Sequence, residues 1–117
     1  MRRRLSPCRS AAVSAWGLAL ALLLGGCGDR PAQQLNKARA LLADRQRPAA
    51  IVQIKSVLQQ HPGLADARLL LGTALLDGGE PVAAEIELRR ALELQAPESE
   101  VVPVLARSML AMGRPPS

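Results

Sequence analysis

Few side chains in this sequence could do covalent or acid–base chemistry. The chain holds two cysteines, Cys8 and Cys27, and one histidine, His61. No serine stands with His61 in a nucleophilic motif, and the sequence has neither an HExxH pattern nor a glycine-rich phosphate loop. One histidine and so few cysteines also exclude a metal site. We therefore expect no enzyme, no metal and no cofactor. The reactive group that remains is a cysteine thiolate, a nucleophile that can be modified covalently.

The leading segment, 1–26, has the pattern of an export signal. Four arginines lie close to its start: Arg2, Arg3, Arg4 and Arg9. Residues 11–24 carry no charge, and as a helix they would span about 21 Å, which is short of the ~30 Å hydrocarbon core of a bilayer. A charged start followed by a short apolar stretch and small residues is typical of a cleavable signal peptide. We predict a signal peptide at 1–26; the alternative is an uncleaved anchor.

The residues that end this segment, Leu24, Gly25, Gly26 and Cys27, resemble the lipobox of bacterial lipoproteins. The resemblance implies cleavage before Cys27, diacylglycerol on its thiol, and a fatty acid such as palmitate on the new amino terminus. Two or three acyl chains hold a protein stably on a membrane. Residue 28 is glycine, not the aspartate that retains some lipoproteins in the inner membrane. By that analogy we expect the periplasmic face of the outer membrane of a Gram-negative bacterium. The alternative is a chance cysteine near an ordinary cleavage site.

Most of the net charge of +5 comes from this leading segment. Residues 27–117 keep 11 of the 15 basic residues and all 10 acidic ones, a net charge of +1. Trp16, the sole aromatic residue, also lies in the leading segment. Without aromatic side chains the mature chain cannot stack bases, so we expect no nucleic-acid partner.

The rest of the chain repeats with a period of about 34 residues, which is typical of stacked helical repeats. After a tether at 27–31, we predict a first repeat at 32–64, a second at 65–98 and a partial third at 99–117 that holds one helix. Within each unit the apolar residues are spaced by three and four, as in helices. The expected helices include 32–43, 48–60 and 82–95. Small and apolar residues at matching places are predicted to pack the helices together: Ala38, Gly72, Ala106, Leu41, Leu75, Ala50, Ala84, Ile54, Leu88 and Ala91.

These residues resemble the tetratricopeptide repeat (TPR) family. The family unit has a Leu-Gly pair in its first helix, here ending at Gly72, and an alanine, a large apolar residue and an alanine in its second, here Ala84, Leu88 and Ala91. The resemblance implies an all-α solenoid of antiparallel helix pairs, about two and a half repeats long. The family's aromatic residues are replaced here by Arg68, Leu75 and Leu88.

The lipobox followed by these repeats also resembles the amino-terminal part of PEP-CTERM system TPR lipoproteins. That resemblance implies a membrane-anchored protein of exopolysaccharide-associated envelope export, in which the repeats bind other proteins. Those proteins are longer, so we expect either a truncated form or a short protein that pairs its last helix with another chain, by self-association or with a different protein. Pro103 is expected in the first turn of that helix, where the backbone N–H groups have no intrahelical hydrogen-bond partner and a proline therefore loses none.

In the TPR family, particular positions of the first helix of each unit line a concave groove that binds peptides or partner helices. The matching positions here form the candidate groove: Leu35, Arg39, Asp66, Leu69, Thr73, Asp77 and Arg107. The arginines that flank Thr73 could bind a carboxylate; alternatively they only solvate an exposed face. Two other functions remain open. One is pilus or outer-membrane assembly, and the other is polysaccharide binding through the basic residues Arg39, Arg45, Arg47 and Lys55.

Overall fold

The computed structural model describes residues 30–114, which form five α-helices joined by short turns. The helices are α1 Pro31–Ala43, α2 Arg47–Gln60, α3 Ala65–Asp77, α4 Pro81–Glu93 and α5 Glu98–Ala111. Each helix packs on the one before it, and α3 also contacts α5. The described part of the chain contains no strand, which confirms the predicted all-α fold. Two helix pairs, α1–α2 and α3–α4, are followed by α5, in agreement with about two and a half repeats.

Proline and the chain's turns set where these helices start. Pro31 and Pro81 lie in the first turns of α1 and α4, as does Pro48 in α2. Proline is tolerated there because the first amides of a helix have no intrahelical partner, and its fixed φ suits the helix. Within residues 30–114, no helix is both long and apolar enough to span a bilayer.

The turn that follows the first helix of each unit is built in the same way three times. It contains one residue in the left-handed region, which is Arg45 (φ 61°), Gly79 (φ 81°) or Gly113 (φ 71°), and these three are equally spaced along the chain. The next residue's amide donates to the carbonyl five residues earlier: Gln46 to Leu41 (2.8 Å), Glu80 to Leu75 (2.9 Å) and Arg114 to Met109 (2.9 Å). These bonds satisfy carbonyls at the helix end that would otherwise lack a partner. The period of the sequence therefore extends to backbone hydrogen bonding.

The core lies between the helix pairs and is built from aliphatic side chains of moderate size. Ile54, Leu88, Val57 and Val101 are its largest fully buried apolar residues. The closest approach is at Gly72 of α3, where an added Cβ would lie 2.7 Å from Cγ of Leu88 in α4. Only a residue without a side chain fits between these two helices, which is the physical reason for a glycine at this position.

The structure places most of the predicted packing residues in the core. Buried are Ala38, Gly72, Leu75, Ala50, Ala84, Ile54, Leu88 and Ala91. Leu41 and Ala106 are only half-buried. Leu41 lies in the first helix of the array, and Ala106 lies in the last described helix, where no following helix of residues 30–114 packs on it.

Two boundary predictions are wrong. The helix expected at 82–95 ends at Glu93, because Gln95 adopts a left-handed conformation (φ 66°) that a helix cannot continue through. Pro103 was expected in the first turn of the last helix, but α5 already begins at Glu98, which makes Pro103 its sixth residue. The helical hydrogen bond that a backbone N–H at this position would donate is therefore lost. Pro103 is exposed, so the carbonyl that loses its partner lies on the solvent side of the helix.

Candidate partner-binding surface

The predicted groove residues lie on α1, α3 and α5, the first helices of the three units. Arg39, Asp66, Asp77 and Arg107 are exposed or nearly so, whereas Leu69 and Thr73 are half-buried. We call these six residues the helix-A surface. Its charged groups alternate in sign, with acidic side chains on α3 and basic ones on α1 and α5. The helix-A surface therefore presents both carboxylates and guanidinium groups to solvent.

Leu35 does not belong to this surface. The groove prediction placed it beside Leu69, but it is 3% exposed and lies in the hydrophobic core. Leu35 precedes Ala38 by three residues, and residues so spaced share one face of a helix. Because Ala38 is fully buried, that face of α1 turns toward the core.

An ion pair links two units across the helix-A surface. A guanidinium nitrogen of Arg107 on α5 lies 3.4 Å from a carboxylate oxygen of Asp77 on α3. The Arg107 and Asp77 side chains are 61% and 48% exposed, respectively. A pair this exposed and this long contributes little to stability. Either member can therefore exchange its partner for a charged group of a bound protein at small cost.

Among the described residues, Thr73 and Arg39 each make a side-chain hydrogen bond within their own helix. The Thr73 hydroxyl donates to the Leu69 carbonyl one turn earlier, at 2.9 Å. Arg39 donates to the side-chain oxygen of Asn36, at 3.0 Å. Since that partner is a neutral amide, this hydrogen bond does not pair Arg39 with a negative charge. The two arginines predicted to bind a carboxylate therefore differ: Arg107 already faces Asp77, whereas Arg39 is bonded to a neutral amide.

Sequence reasoning missed an ion pair between α3 and α4. Arg68 donates to Glu87 at 2.8 Å and to the Pro62 carbonyl at 3.2 Å. The two charged side chains are only 21% and 20% exposed, and Nε of Arg68 is buried without a hydrogen-bond partner among the described residues. Arg68 occupies the place where the TPR family carries an aromatic residue. An arginine at that place was the available signal that a carboxylate must lie opposite.

Arg68 and Glu87 also lie where two shallow clefts meet. One, of about 430 Å³, runs along α4 past Ile86 and Arg90. The other, of about 280 Å³, opens toward α2 at Lys55. The paired clefts therefore bring together cations of three helices and two carboxylates, Glu87 and Glu93.

Glu85 of α4 holds a second charged cluster. Its carboxylate accepts from Arg89, one turn on in the same helix, and from Arg114, just beyond α5. The hydrogen bond from Arg89 is the main cause that holds the pKa of Glu85 below its usual value. Partial burial opposes this effect, and Arg114 adds to it. Arg114 thus links the residues just after α5 to α4.

The remaining candidate residues are placed as follows. The basic residues of the proposed polysaccharide site are all exposed on α1, α2 and the turn between them: Arg39, Arg45, Arg47 and Lys55. His61 follows α2, where its amide donates to the Val57 carbonyl at 2.8 Å. Within residues 30–114, no group of three His, Cys, Asp or Glu side chains is arranged to hold a metal. The lipobox residues Leu24, Gly25, Gly26 and Cys27 lie outside the described residues.

Comparison with known proteins agrees with this architecture. Residues 41–108 match the family model described as tetratricopeptide repeat. The match spans more than half of the chain, so the chain belongs to the tetratricopeptide repeat family. Repeats of this family generally mediate protein–protein interactions, and their fold is typically a non-catalytic scaffold. Neither the curated proteins nor the solved structures yielded a match.

Proposed function

We propose that this chain is a lipid-anchored periplasmic scaffold that presents its helix-A surface to envelope proteins or peptides. The observation that carries the proposal is a lipobox-like sequence ending at Cys27, directly in front of a TPR array. The lipobox would deliver the chain to the membrane, and the array would bind the partner. The resemblance to PEP-CTERM system lipoproteins suggests exopolysaccharide-associated export as the setting.

The short connection between Cys27 and α1 constrains the anchored protein. Only residues 28–30 separate Cys27 from Pro31, where α1 begins. A fully extended chain advances at most ~3.6 Å per residue, so Cys27 and the start of α1 are no more than about 14 Å apart. An anchor at Cys27 would therefore hold the first repeat against the membrane surface, and the later repeats would extend from it.

The chemistry of the helix-A surface favours a partner segment with charges of both signs. Arg39 offers a guanidinium group whose present partner is neutral. Asp66 offers an exposed carboxylate in the first turn of α3. Leu69, half-buried, supplies apolar contact area. Arginine can bind a carboxylate through two parallel hydrogen bonds, which gives such contacts direction as well as strength.

The anchor is tested by replacing Cys27 in a Gram-negative host. We expect Cys27→Ala to abolish incorporation of labelled palmitate and to shift the protein from the membrane fraction to the soluble periplasm. Cys8→Ala is the matched control, because this cysteine precedes the proposed cleavage site, and it should leave both readouts unchanged. A processed Cys27→Ala protein that stays fully membrane-bound would contradict the anchor.

Binding is tested separately, with the same anchored protein. In-membrane cross-linking followed by mass spectrometry should recover a defined envelope protein, and Arg39→Glu should reduce its yield several-fold. Arg90→Glu is the control, since Arg90 is an exposed arginine outside the helix-A surface. Equal loss with both variants would indicate a non-specific charge effect and would argue against the helix-A surface.

A further inference from the structure

The basic side chains of residues 30–114 differ in whether an acidic residue of the chain neutralises them. After α2, every arginine in the described part of the chain pairs with a carboxylate: Arg68, Arg89, Arg90, Arg107 and Arg114. In the first helix pair, by contrast, Arg45, Arg47 and Lys55 are exposed and form no ion pair with a described residue. The one acidic residue of 30–60, Asp44, accepts a hydrogen bond from the neutral side-chain amide of Gln46 at 2.8 Å. The first helix pair therefore holds cations whose counter-charge is not among the described residues.

This difference makes the array dipolar along its length. Residues 30–60, which hold α1 and α2, carry six basic residues and one acidic residue, a net charge of +5. Residues 61–93, which hold α3 and α4, carry three basic and six acidic residues, a net charge of −3. The positive end of the array is the end nearest Cys27.

We propose that the first helix pair lies on anionic phospholipid headgroups and that the rest of the array stands away from the membrane. This inference deepens the proposed function, because it depends on the anchor at Cys27 to hold the start of α1 within about 14 Å of the membrane. In the upright orientation, as we call it, α1 and α2 lie along the membrane surface. The pair α3–α4 and then α5 follow outward.

The range of electrostatic forces favours the upright orientation. A helix with its side chains is about 10 Å thick, and the Debye length at physiological ionic strength is about 8 Å. When α1 and α2 lie on the surface, their cations are close enough to attract it, whereas the carboxylates of α3 and α4 lie one helix layer farther out and are screened. If the array instead lay lengthwise on the membrane, the acidic pair α3–α4 would touch the lipid too and would offset the attraction.

The placement of the cations favours a charged plane over a polymer strand. Arg39 belongs to the helix-A surface, Arg45 and Arg47 lie at the turn between α1 and α2, and Lys55 lines a cleft shared with α3 and α4. These positions form no single groove along which a chain of acidic sugars could run. A membrane surface attracts each basic residue that lies near it and needs no groove. We therefore assign anionic lipid, and not acidic polysaccharide, as the partner of the first helix pair.

The upright orientation also leaves the helix-A surface open. That surface extends over α1, α3 and α5, which succeed one another away from the membrane in this orientation. It therefore faces sideways and not into the lipid. A partner of the helix-A surface and the membrane can be bound at the same time.

The test is the binding of the unlipidated mature chain, residues 27–117, to phospholipid vesicles under reducing conditions. This chain holds all five helices and, without Trp16, no aromatic residue. A tryptophan placed at Ser56, which is exposed on α2, is then the sole fluorophore, and dansyl-labelled headgroups quench it on binding. We expect quenching on vesicles of equal parts phosphatidylglycerol and phosphatidylcholine, and none on phosphatidylcholine alone at the same lipid concentration. Salt at about 1 M should abolish the quenching, because it shortens the Debye length to about 3 Å.

Two double variants distinguish the position of a charge from its mere loss. A basic residue close to an anionic surface strengthens binding about fivefold, so Arg47→Gln with Lys55→Gln should weaken binding to the anionic vesicles about 25-fold. Arg90→Gln with Arg107→Gln is the matched control. It removes the same charge from exposed ion pairs of α4 and α5, which the upright orientation holds away from the lipid, and it should weaken binding less than about threefold. Circular dichroism shows whether each variant keeps its helical content.

A second tryptophan position tests the orientation. Ser99 is exposed in the first turn of α5, two helix layers beyond α2, and should therefore lie about 16–20 Å farther from the lipid than Ser56. At saturating lipid, the Ser99→Trp chain should be quenched less than the Ser56→Trp chain, and equal quenching would overturn the upright orientation.

Three other results would overturn the proposal. They are equal binding to neutral and anionic vesicles, equal weakening by the two double variants, and displacement from the vesicles by a soluble polyuronate at a lower concentration of negative charge than the lipid supplies. The last result would make acidic polysaccharide the preferred ligand. None of these readouts requires lipidation. A Cys27 that takes up no palmitate would therefore contradict the proposed anchor and leave the vesicle result intact.

Discussion

Arg68 of α3 and Glu87 of α4 lie 2.8 Å apart with about four-fifths of each side chain covered, so an ion pair joins these helices where the TPR family uses an aromatic residue. Removing charges from water is costly, and their mutual attraction repays that cost only while both are present. The pair therefore stabilises the fold less than its short distance indicates. Removing one member nevertheless destabilises the fold, because the other charge stays covered without its partner.

Glu87→Gln should lower the free energy of unfolding by about 1–2 kcal/mol, because Arg68 stays charged and largely covered. The double variant Arg68→Leu, Glu87→Gln should lose less, since leucine restores apolar contact. Urea denaturation of both variants measures the difference. Arg90→Gln removes a pair with Glu93 whose side chains are 54% and 62% exposed, and it should change stability by less than about 0.5 kcal/mol. Equal losses for the single and double variants would contradict a coupled pair.

Gly72→Ala should destabilise the protein by about 2 kcal/mol, a typical cost of overpacking. The new methyl group would lie 2.7 Å from Cγ of Leu88 and 3.3 Å from the Ala84 carbonyl, so the Leu88 side chain must shift or α3 and α4 must move apart. Gly63→Ala is the control, because a Cβ there meets nothing within 4 Å. A comparison of the thermal unfolding temperatures of the two variants tests this prediction. A Gly72→Ala protein as stable as Gly63→Ala would show that the helices adjust freely.

Arg45→Gly should stabilise the protein by about 1 kcal/mol, because the left-handed conformation that costs arginine energy is open to glycine. Arg45→Ala distinguishes the effect of backbone strain from that of charge. It removes the guanidinium group but keeps the strain, so it should not increase stability. The reverse change in the next unit, Gly79→Ala, should destabilise by a similar amount, although nothing lies within 4 Å of its Cβ position. Chemical denaturation midpoints measure all three. Stabilisation by Arg45→Ala equal to that by Arg45→Gly would assign the effect to charge.

Acid should weaken the contact between Glu85 and its two arginines. The folded-state pKa of Glu85 lies below its ordinary value of 4.5, so its contribution to stability is complete above that pH and is lost as the pH falls through the lowered value. Glu85→Gln should therefore reduce stability at neutral pH and flatten the decline below pH 4.5. Urea midpoints measured from neutral to strongly acidic solution test this. Glu93→Gln, on the same helix, is the control, and a profile for Glu85→Gln that parallels the wild type would contradict the prediction.

Much of the fold could be predicted because it depends on periodicity, which a sequence displays directly. The repeat period placed Gly72, Ala84 and Leu88 at positions typical of the family, and all three are buried against one another. The left-handed residue at Gly79 could also be anticipated, since glycine shortly before a proline marks a helix end. Its counterpart at Arg45 could not, because arginine gives no such signal and takes this conformation only under the constraint of the packed helices on either side.

The contacts of the helix-A surface were harder to predict, because they depend on the rotation of each helix about its axis. Leu35 matched Leu69 by position, yet Leu35 is buried in the core whereas Leu69 is only half-buried. Arg107 was expected to flank Thr73, and its ion-pair partner, Asp77, lies one turn further along α3. A pattern of residue types gives the face of a helix to within about a third of a turn, whereas an ion pair is decided by a few ångströms.

The turn at Gly113 is a place at which a further helix could be fused to this protein by engineering. Its hydrogen bonds repeat those at Gly79, and Pro115 stands one repeat period after Pro81, the first residue of α4. A copy of α4 fused in that register needs no designed linker. It would cover Ala106 as α4 covers Gly72, and further units could follow at the same interval. The number of repeats on one chain could then be chosen by the length of the gene.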